Sequence, residues 1–464
     1  MTVDGDTALE AVWRALGGGP HPTGVRWAGP AGVLPSRLPT AVLARATVAA
    51  YALAGEELAA ARGIAGGADI VVDSGAVGAA FTSERHLRRD GRPFGSFAPL
   101  SRFWRAADGW VRTHGNYPHH RARLVAALGV SETAADVTDA LDRRIAELPV
   151  AMVEDVVARS GGLAVAVRTP DEWTAHPQGA AVSALPLLSV DRIEGGAPRS
   201  MPPAPPTPRL PADGVRVLDL TRVIAGPVAT RSLALFGADV LRVDSPGLPE
   251  LDGQYLDTGF GKRSTLLDLA RRVDRAAFEE LLAAADVVVT GYRPGALDRF
   301  GLAPRSLLDR RPGLVVASLS AWGPAGPWAD RRGFDSLVQA ATGIAVREAA
   351  ADGAPGALPA QALDHGTGYL LAAAVLRGLA SRVRDGGGWS ARLSLAQTAR
   401  WLLLDLPAPA SASGEAPDPA AWCVEVDAPG GRLRHALPAV TLPGGPRTWA
   451  HPPTPWGSDA PRWR

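Results

Sequence analysis

The chain has 464 residues and a formal net charge of +1, with 46% hydrophobic and 20% charged residues. That is enough apolar material for two or three folded cores, and the balanced charge without a basic run leaves no footprint for nucleic acid or an anionic membrane surface as a partner. Cys423 is the one cysteine, which excludes an internal disulfide and a cysteine-clustered zinc site.

The opening "MTVDGDTALEAVW" carries acids where a secretory signal needs a basic segment, and no run of about 18 consecutive apolar residues occurs. A cytoplasmic location is therefore expected. "TAVLARATVAAYALAGEELAAAR", residues 40–62, predicts an alanine-rich helix, and "ADIVVDSGAVGAAF", 68–81, a strand running into a second helix. "AADGWVRTHG" suggests a hairpin strand, and helical patterns follow over 120–128 and about 134–160. The prolines of "GGAPRSMPPAPPTPRLPADG", 195–214, remove amide donors and favour extended backbone, so this stretch reads as a linker after an N-terminal part spanning 1–194.

Beyond it the alternation is regular. "VRVLDL", "DVLRVD", "STLLDL", "DVVVT" and "GLVVASLS" read as buried strands, separated by helical patterns such as "VATRSLALFGA" and "DRAAFEELLAAA". Strands alternating with helices force crossovers, so residues 215–405 are expected to form a doubly wound α/β domain on a mostly parallel sheet. The Pro, Ala and Gly-rich tail, 406–464, shows little periodicity and is expected to be loop in part.

Several motifs fall away on inspection. The turn after "VRVLDL" holds Gly226 but not the three-glycine fingerprint of a dinucleotide site. In "GFGKRS" the first glycine of a phosphate loop would fall at Leu256, and Arg263 displaces the serine. His114, His119 and His120 in "HGNYPHH" lack a carboxylate at helical spacing, so no metal is expected. Of the 48 basic residues only Lys262 is a lysine, which marks it without choosing between a ligand contact and a chance surface position.

Asp364 heads "QALDHGTGYLLAAAVLRGLASR", an otherwise apolar run that reads as a buried helix. An acid there caps free amides and meets the positive end of the helix dipole; the same placement suits a carboxylate nucleophile, with Gly366 and Gly368 leaving room beside it. Spacing alone does not choose. The 40–81 segment echoes the 367–403 segment as helix, glycine turn, strand and helix, with Arg37 standing where the second copy has Asp364.

Six motifs in order, "VLDLTRVIAGPVATRSLALFGADVLRVDSPG", "GKRSTLLDL", "ADVVVTGYRPGALDRFGL", "SAWGPAGPW", "RGFDSLVQAATG" and "ALDHGTGYLLAAAVLRGLASR", resemble family III CoA-transferases, the superfamily that includes α-methylacyl-CoA racemase. "FWRAADGWVRTHG" and "DEWTAHPQGAAVSALPLLSVDRI" are similar to segments that usually follow the catalytic half, so the order looks permuted, with a smaller α+β domain and a partial copy of the transferase half first. The resemblance implies a Rossmann-like CoA-binding domain. It implies Asp364 as the nucleophile forming covalent aspartyl intermediates, acyl-CoA and an organic acid as substrates, no permanently bound cofactor, and an interlocked homodimer. It implies CoA contacts from Lys262, Arg299 and Arg332, and places Gly291 and Tyr292 near the adenine. Arg299 has an alternative as a helix salt-bridge partner. Phe334 stands where racemases carry a histidine, which favours transfer over two-base racemisation. Ile224 replaces the glutamine of formyl-CoA enzymes, and only "DGRPFGSFAPL" answers to their glycine-rich loop. A relative that binds CoA without turnover remains the alternative.

Overall fold

A strand followed by a helix cannot turn straight back on itself, so its successor strand lies parallel after a crossover. The computed structural model describes residues 3–21, 23–64, 69–95, 97–133, 136–193, 210–407 and 417–464. Within them a seven-stranded sheet is built from β1 (Leu188–Ile193), β2 (Arg216–Leu220), β3 (Asp239–Asp244), β4 (Lys262–Leu266), β5 (Val287–Thr290), β6 (Val315–Ser320) and β7 (Gly388–Ser394). Their order across the sheet is β4-β3-β2-β5-β6-β7-β1. The six later strands are parallel, and β1 closes the far edge antiparallel to β7. The α/β reading with a mostly parallel sheet is thus met. Most of the expected linker, up to residue 209, lies outside the described residues.

Both faces of the sheet are covered, because successive strand residues point to opposite sides. Val217, Val240, Val287 and Val315 enter one core with helices α1 (Thr40–Ala61), α2 (Ala225–Leu235) and α5 (Ala362–Asp385). Leu218, Leu241, Val288 and Val316 enter a second core with α3 (Arg272–Ala284). A third core lies under a three-stranded antiparallel sheet, Phe103–Arg105, Trp110–Thr113 and Ala164–Ala166. Three helices over 118–159 pack on it, giving a smaller α+β unit between Leu100 and Ala166. No helix among the described residues is long and apolar enough to cross a membrane.

The two echoing segments do share a pattern, and they meet. Helix α1 lies against α5, and the short parallel pair Val25–Ala28 and Ile70–Asp73 stands beside α1 as β6 and β7 stand beside α5. Small residues permit the close approach. The hydrogen of Gly366 faces Leu43, whose Cδ2 would lie 2.7 Å from an added Cβ, and that of Gly368 faces the carbonyl of Ala225 at 2.6 Å. These glycines therefore make room for neighbouring helices, not for a substrate. Gly368→Ala is expected to lower the unfolding free energy by roughly 1–3 kcal/mol through overpacking, measured by urea denaturation; an unchanged midpoint would show that α2 and α5 separate freely.

The tail is irregular over 437–464, as expected in part, but not throughout. Residues Cys423–Ala428 and Gly431–Ala436 form a hairpin that pairs with Arg88–Arg89. Beyond it the chain lies along the free edge of β4, where the Asp459 amide donates to the Ser264 carbonyl at 2.8 Å and Asp459 Oδ2 accepts from the Ser264 amide at 2.9 Å. Trp449 donates to the Arg231 carbonyl and Trp456 to Asp244. Edge strands need such cover, and a local sequence pattern does not display it.

Candidate active site

In an open parallel sheet, ligands are received outside the carboxyl ends of the strands where the strand order reverses. Here that point lies between β2 and β5, and a cleft of about 680 Å³ opens there. The loops after β2 to β6 supply Arg222, Ser245, Leu269, Tyr292 and Ala321, and the smaller unit supplies Tyr117, His119, His120 and Arg123. Val223, also on the wall, holds φ at +72°, a strained value for a β-branched residue. Its amide donates to Glu250 Oε2 at 3.1 Å, and Glu250 in turn accepts from Arg242 and from the Tyr117 hydroxyl.

Four of the residues singled out from the sequence meet in this cleft: Gly291, Tyr292, Arg299 and Arg332. Among the described residues no carboxylate pairs with Arg299, whose guanidinium carbon sits 4.6 Å over the Phe300 ring, so the salt-bridge alternative finds no partner. Burial lowers the pKa of Arg332, and the like charges of Arg293 and Arg123 lower it further. Three converging cations form a place for anionic groups.

Lys262 is not there. It is 2% exposed at the start of β4, and its ammonium donates to Thr230 Oγ1 at 2.7 Å, to Asp219 Oδ2 at 3.1 Å and to the Pro227 carbonyl at 3.1 Å. All three of its hydrogens are used inside the core. Burial brings its pKa down to about 8, against the opposing pull of Asp219. The expected CoA contact is replaced by a buried ion pair that ties β4 to β2 and α2.

Asp364 occupies the first turn of α5 but is not its cap, which is Gln361. The helix-end amides go to another acid: Asp335, first residue of α4 (Asp335–Thr342), accepts the Asp364 amide on Oδ2 at 2.9 Å. The Gln339 side chain donates to the other oxygen. Asp364 itself is 6% exposed and is absent from the cleft wall; Phe334, the chain neighbour of Asp335, is on that wall. Burial, then the charges of Asp335 and Glu84, hold its pKa well above the usual carboxylate range. Asp335 is pushed up to about 6, chiefly by burial. Glu84 faces His365 at 3.7 Å.

Asp335, Glu84 and His365 were not marked in the sequence. Asp335 stood in the "RGFD" motif and Glu84 in "SERH", but only folding brings segments so far apart beside Asp364. Two buried acids with raised pKa values, Asp364 and Asp335, are costly to the fold, and such costs gather where chemistry is done. Among the described residues no His, Cys, Asp and Glu group suited to a metal occurs.

Residues 212–426 match the sequence pattern of CoA-transferase family III. A probable fatty acyl-CoA transferase of Mycobacterium tuberculosis is 36% identical over 192 residues, 39% of this chain and 49% of that protein. An acetyl-coenzyme A transferase of Hypoxylon pulicicidum is 30% identical over 325 residues, 66% of this chain and 54% of that protein. The crystal structure of a hypothetical protein from Mycobacterium tuberculosis is 35% identical with a TM-score of 0.40, covering 43% of this chain and 59% of that one. The chain thus spans about half the length of the curated relatives it matches.

Proposed function

We propose that the protein, whose residues 212–426 match CoA-transferase family III, is a member of that family and moves CoA from an acyl-CoA to a carboxylic acid through covalent intermediates on Asp364. The sheet domain is read as Rossmann-like, since its six parallel strands follow the order 3-2-1-4-5-6 in their own numbering. The observation that carries the proposal is a cation-lined cleft at the strand-order reversal, whose wall residue Phe334 is the chain neighbour of Asp335, the acid that accepts the Asp364 amide.

In the proposed sequence the Asp364 carboxylate attacks the thioester carbonyl and expels CoA thiolate, leaving a mixed anhydride. The thiolate attacks the aspartyl carbonyl, which releases the donor acid and leaves an aspartyl-CoA thioester. The acceptor carboxylate attacks that thioester, and the thiolate returns to the acceptor carbonyl, regenerating Asp364. Covalent capture divides one difficult transfer into steps of similar energy. Arg332, Arg293 and Arg123 would meet CoA phosphates, Arg299 would add charge at the cleft mouth, and Tyr292 would stack on the adenine with Gly291 beside it. Lys262 would support the cleft from behind. Acyl-CoA and acid are substrates here, with no resident cofactor.

The order of segments is proposed as a permutation, and the resemblance adds an interlocked homodimer, which light scattering would read as twice the 48.1 kDa of the chain. A second reading, CoA binding without transfer, is favoured by the burial of Asp364 behind the wall. Incubation with a panel of acyl-CoAs, then hydroxylamine trapping and intact mass, separates the two. A hydroxamate at Asp364 supports transfer; CoA binding with no adduct from any donor supports the second reading.

A further inference from the structure

Among the described residues the buried arginines have carboxylate partners, with one informative exception. Arg231 faces Asp257, Arg242 faces Asp244 and Glu250, and Arg382 faces Asp286. Arg112 is 8% exposed, and among the described residues no carboxylate faces it. Its guanidinium carbon lies between two rings instead, 5.2 Å from the centre of Phe97 and 4.8 Å from that of Phe103. A desolvated charge without a counterion is expensive, and the rings recover only a part of that.

Arg112 is not alone. It lies in the strand Trp110–Thr113, and His114, two residues on, falls on the same side by the strand period. The His114 ring stacks on Phe334 with centroids 3.7 Å apart. His120, on the neighbouring helix, has its ring 5.7 Å from Phe334 and lines the cleft. Nε of Arg112, Nδ1 of His114 and Nδ1 of His120 are all buried without a hydrogen-bond partner among the described residues. Burial first, and then neighbouring cations or imidazoles, keep both histidines neutral. His114 and His120 therefore meet at one wall residue of the cleft, and Arg112 joins them through Phe97, whose ring lies 6.4 Å from that of His114. Phe334 is followed in the chain by Asp335, which accepts the Asp364 amide.

We infer that Arg112, with His114 and His120, forms a carboxylate subsite that receives the organic acid of the transfer, its apolar body held among Phe97, Phe103 and Phe334. The assignment of that acid as a co-substrate rests on the transfer reading; the anion site itself does not. A guanidinium presents a planar fork that matches a carboxylate. Phe97 is 42% exposed, so the aromatic pair around Arg112 reaches solvent on that side. CoA phosphates are served separately, by the exposed arginines around Arg332.

The test is binding without turnover. Acetate, benzoate and succinate are titrated calorimetrically into the wild type, Arg112→Met and Arg112→Lys, with CoA titrated in parallel. At least one acid is expected to bind the wild type, to bind Arg112→Met about tenfold or more weakly, and to recover in part with Arg112→Lys. CoA affinity should move less than about threefold, and Arg112→Met should melt no lower than the parent, because a lone buried charge has been removed. Absence of binding by all three acids, or equal binding by Arg112→Met, overturns the subsite. A large loss of stability in both variants with acid binding intact assigns Arg112 to packing and also overturns it. If acid binding depends on Arg112 while no hydroxamate forms on Asp364, the transfer reading fails and the subsite stands.

Discussion

Asp364→Asn is expected to abolish CoA exchange, on the order of 10⁴-fold or more, and at the same time to make the protein more stable. The two effects have one cause. Asp364 is buried beside Asp335 and Glu84, and burial raises its pKa well above its ordinary 3.8. Below that value the carboxyl is neutral whether folded or not, and the fold bears no cost. As the pH rises the unfolded chain gives up its proton first, so stability falls until the folded group also ionises. Asp335 behaves alike, with a window from 3.8 to about 6. Asparagine removes the first of these losses and, by deleting a like charge, eases the second. Wild-type stability should decline across this acid range, whereas the variant's should be flatter and higher at pH 7 by on the order of 1–3 kcal/mol. Urea unfolding across pH, alongside hydroxylamine trapping, reads both. Exchange at the wild-type rate would place the nucleophile elsewhere, and a less stable variant would make Asp364 a structural acid.

Lys262→Met should do the reverse, disturbing the fold and leaving the ligand alone. Removing the ammonium strands the Asp219 carboxylate, which is 0% exposed, beside two threonines. Breaking a buried pair from one side costs roughly 3–5 kcal/mol, while replacing both partners is often near neutral. The double variant Asp219→Asn, Lys262→Met should therefore regain most of the loss. CoA affinity, by calorimetry, should change less than about threefold in either. A tenfold weaker CoA complex with unchanged stability would instead restore Lys262 to the ligand.

What the sequence disclosed follows from how local each signal is. Strands and helices after residue 210 were legible because apolar spacing reports a periodic face. Gly291, Tyr292, Arg299 and Arg332 were named from motifs of the family resemblance, and the loops that carry them follow β5 and β6 onto the cleft wall. A motif names Lys262 without giving its direction, and as the first residue of β4 it points into the core. Gly366 and Gly368 were read as room beside Asp364 for a substrate, and Leu43 and Ala225 take that space instead. Asp335, Glu84 and Arg112 could not be ranked, because their burial and partners come from distant segments. The tail is irregular over 437–464, as expected, but its hairpin over 423–436 and its contacts with β4 escaped notice, because its own residues carry little pattern.

That pairing has a consequence for the life of the whole molecule. A parallel sheet with a bare rim offers a row of amides and carbonyls to any passing strand, including the same rim on another copy. In the stretch from Trp449 to Arg464, Asp459 occupies the Ser264 amide and carbonyl on that rim, while Trp456 and Arg464 anchor to Asp244 and Asp239 on β3 behind it. It works as a zip fastener: a molecule in which this stretch is unlatched would be adhesive along the bared rim, and latching it removes the adhesion.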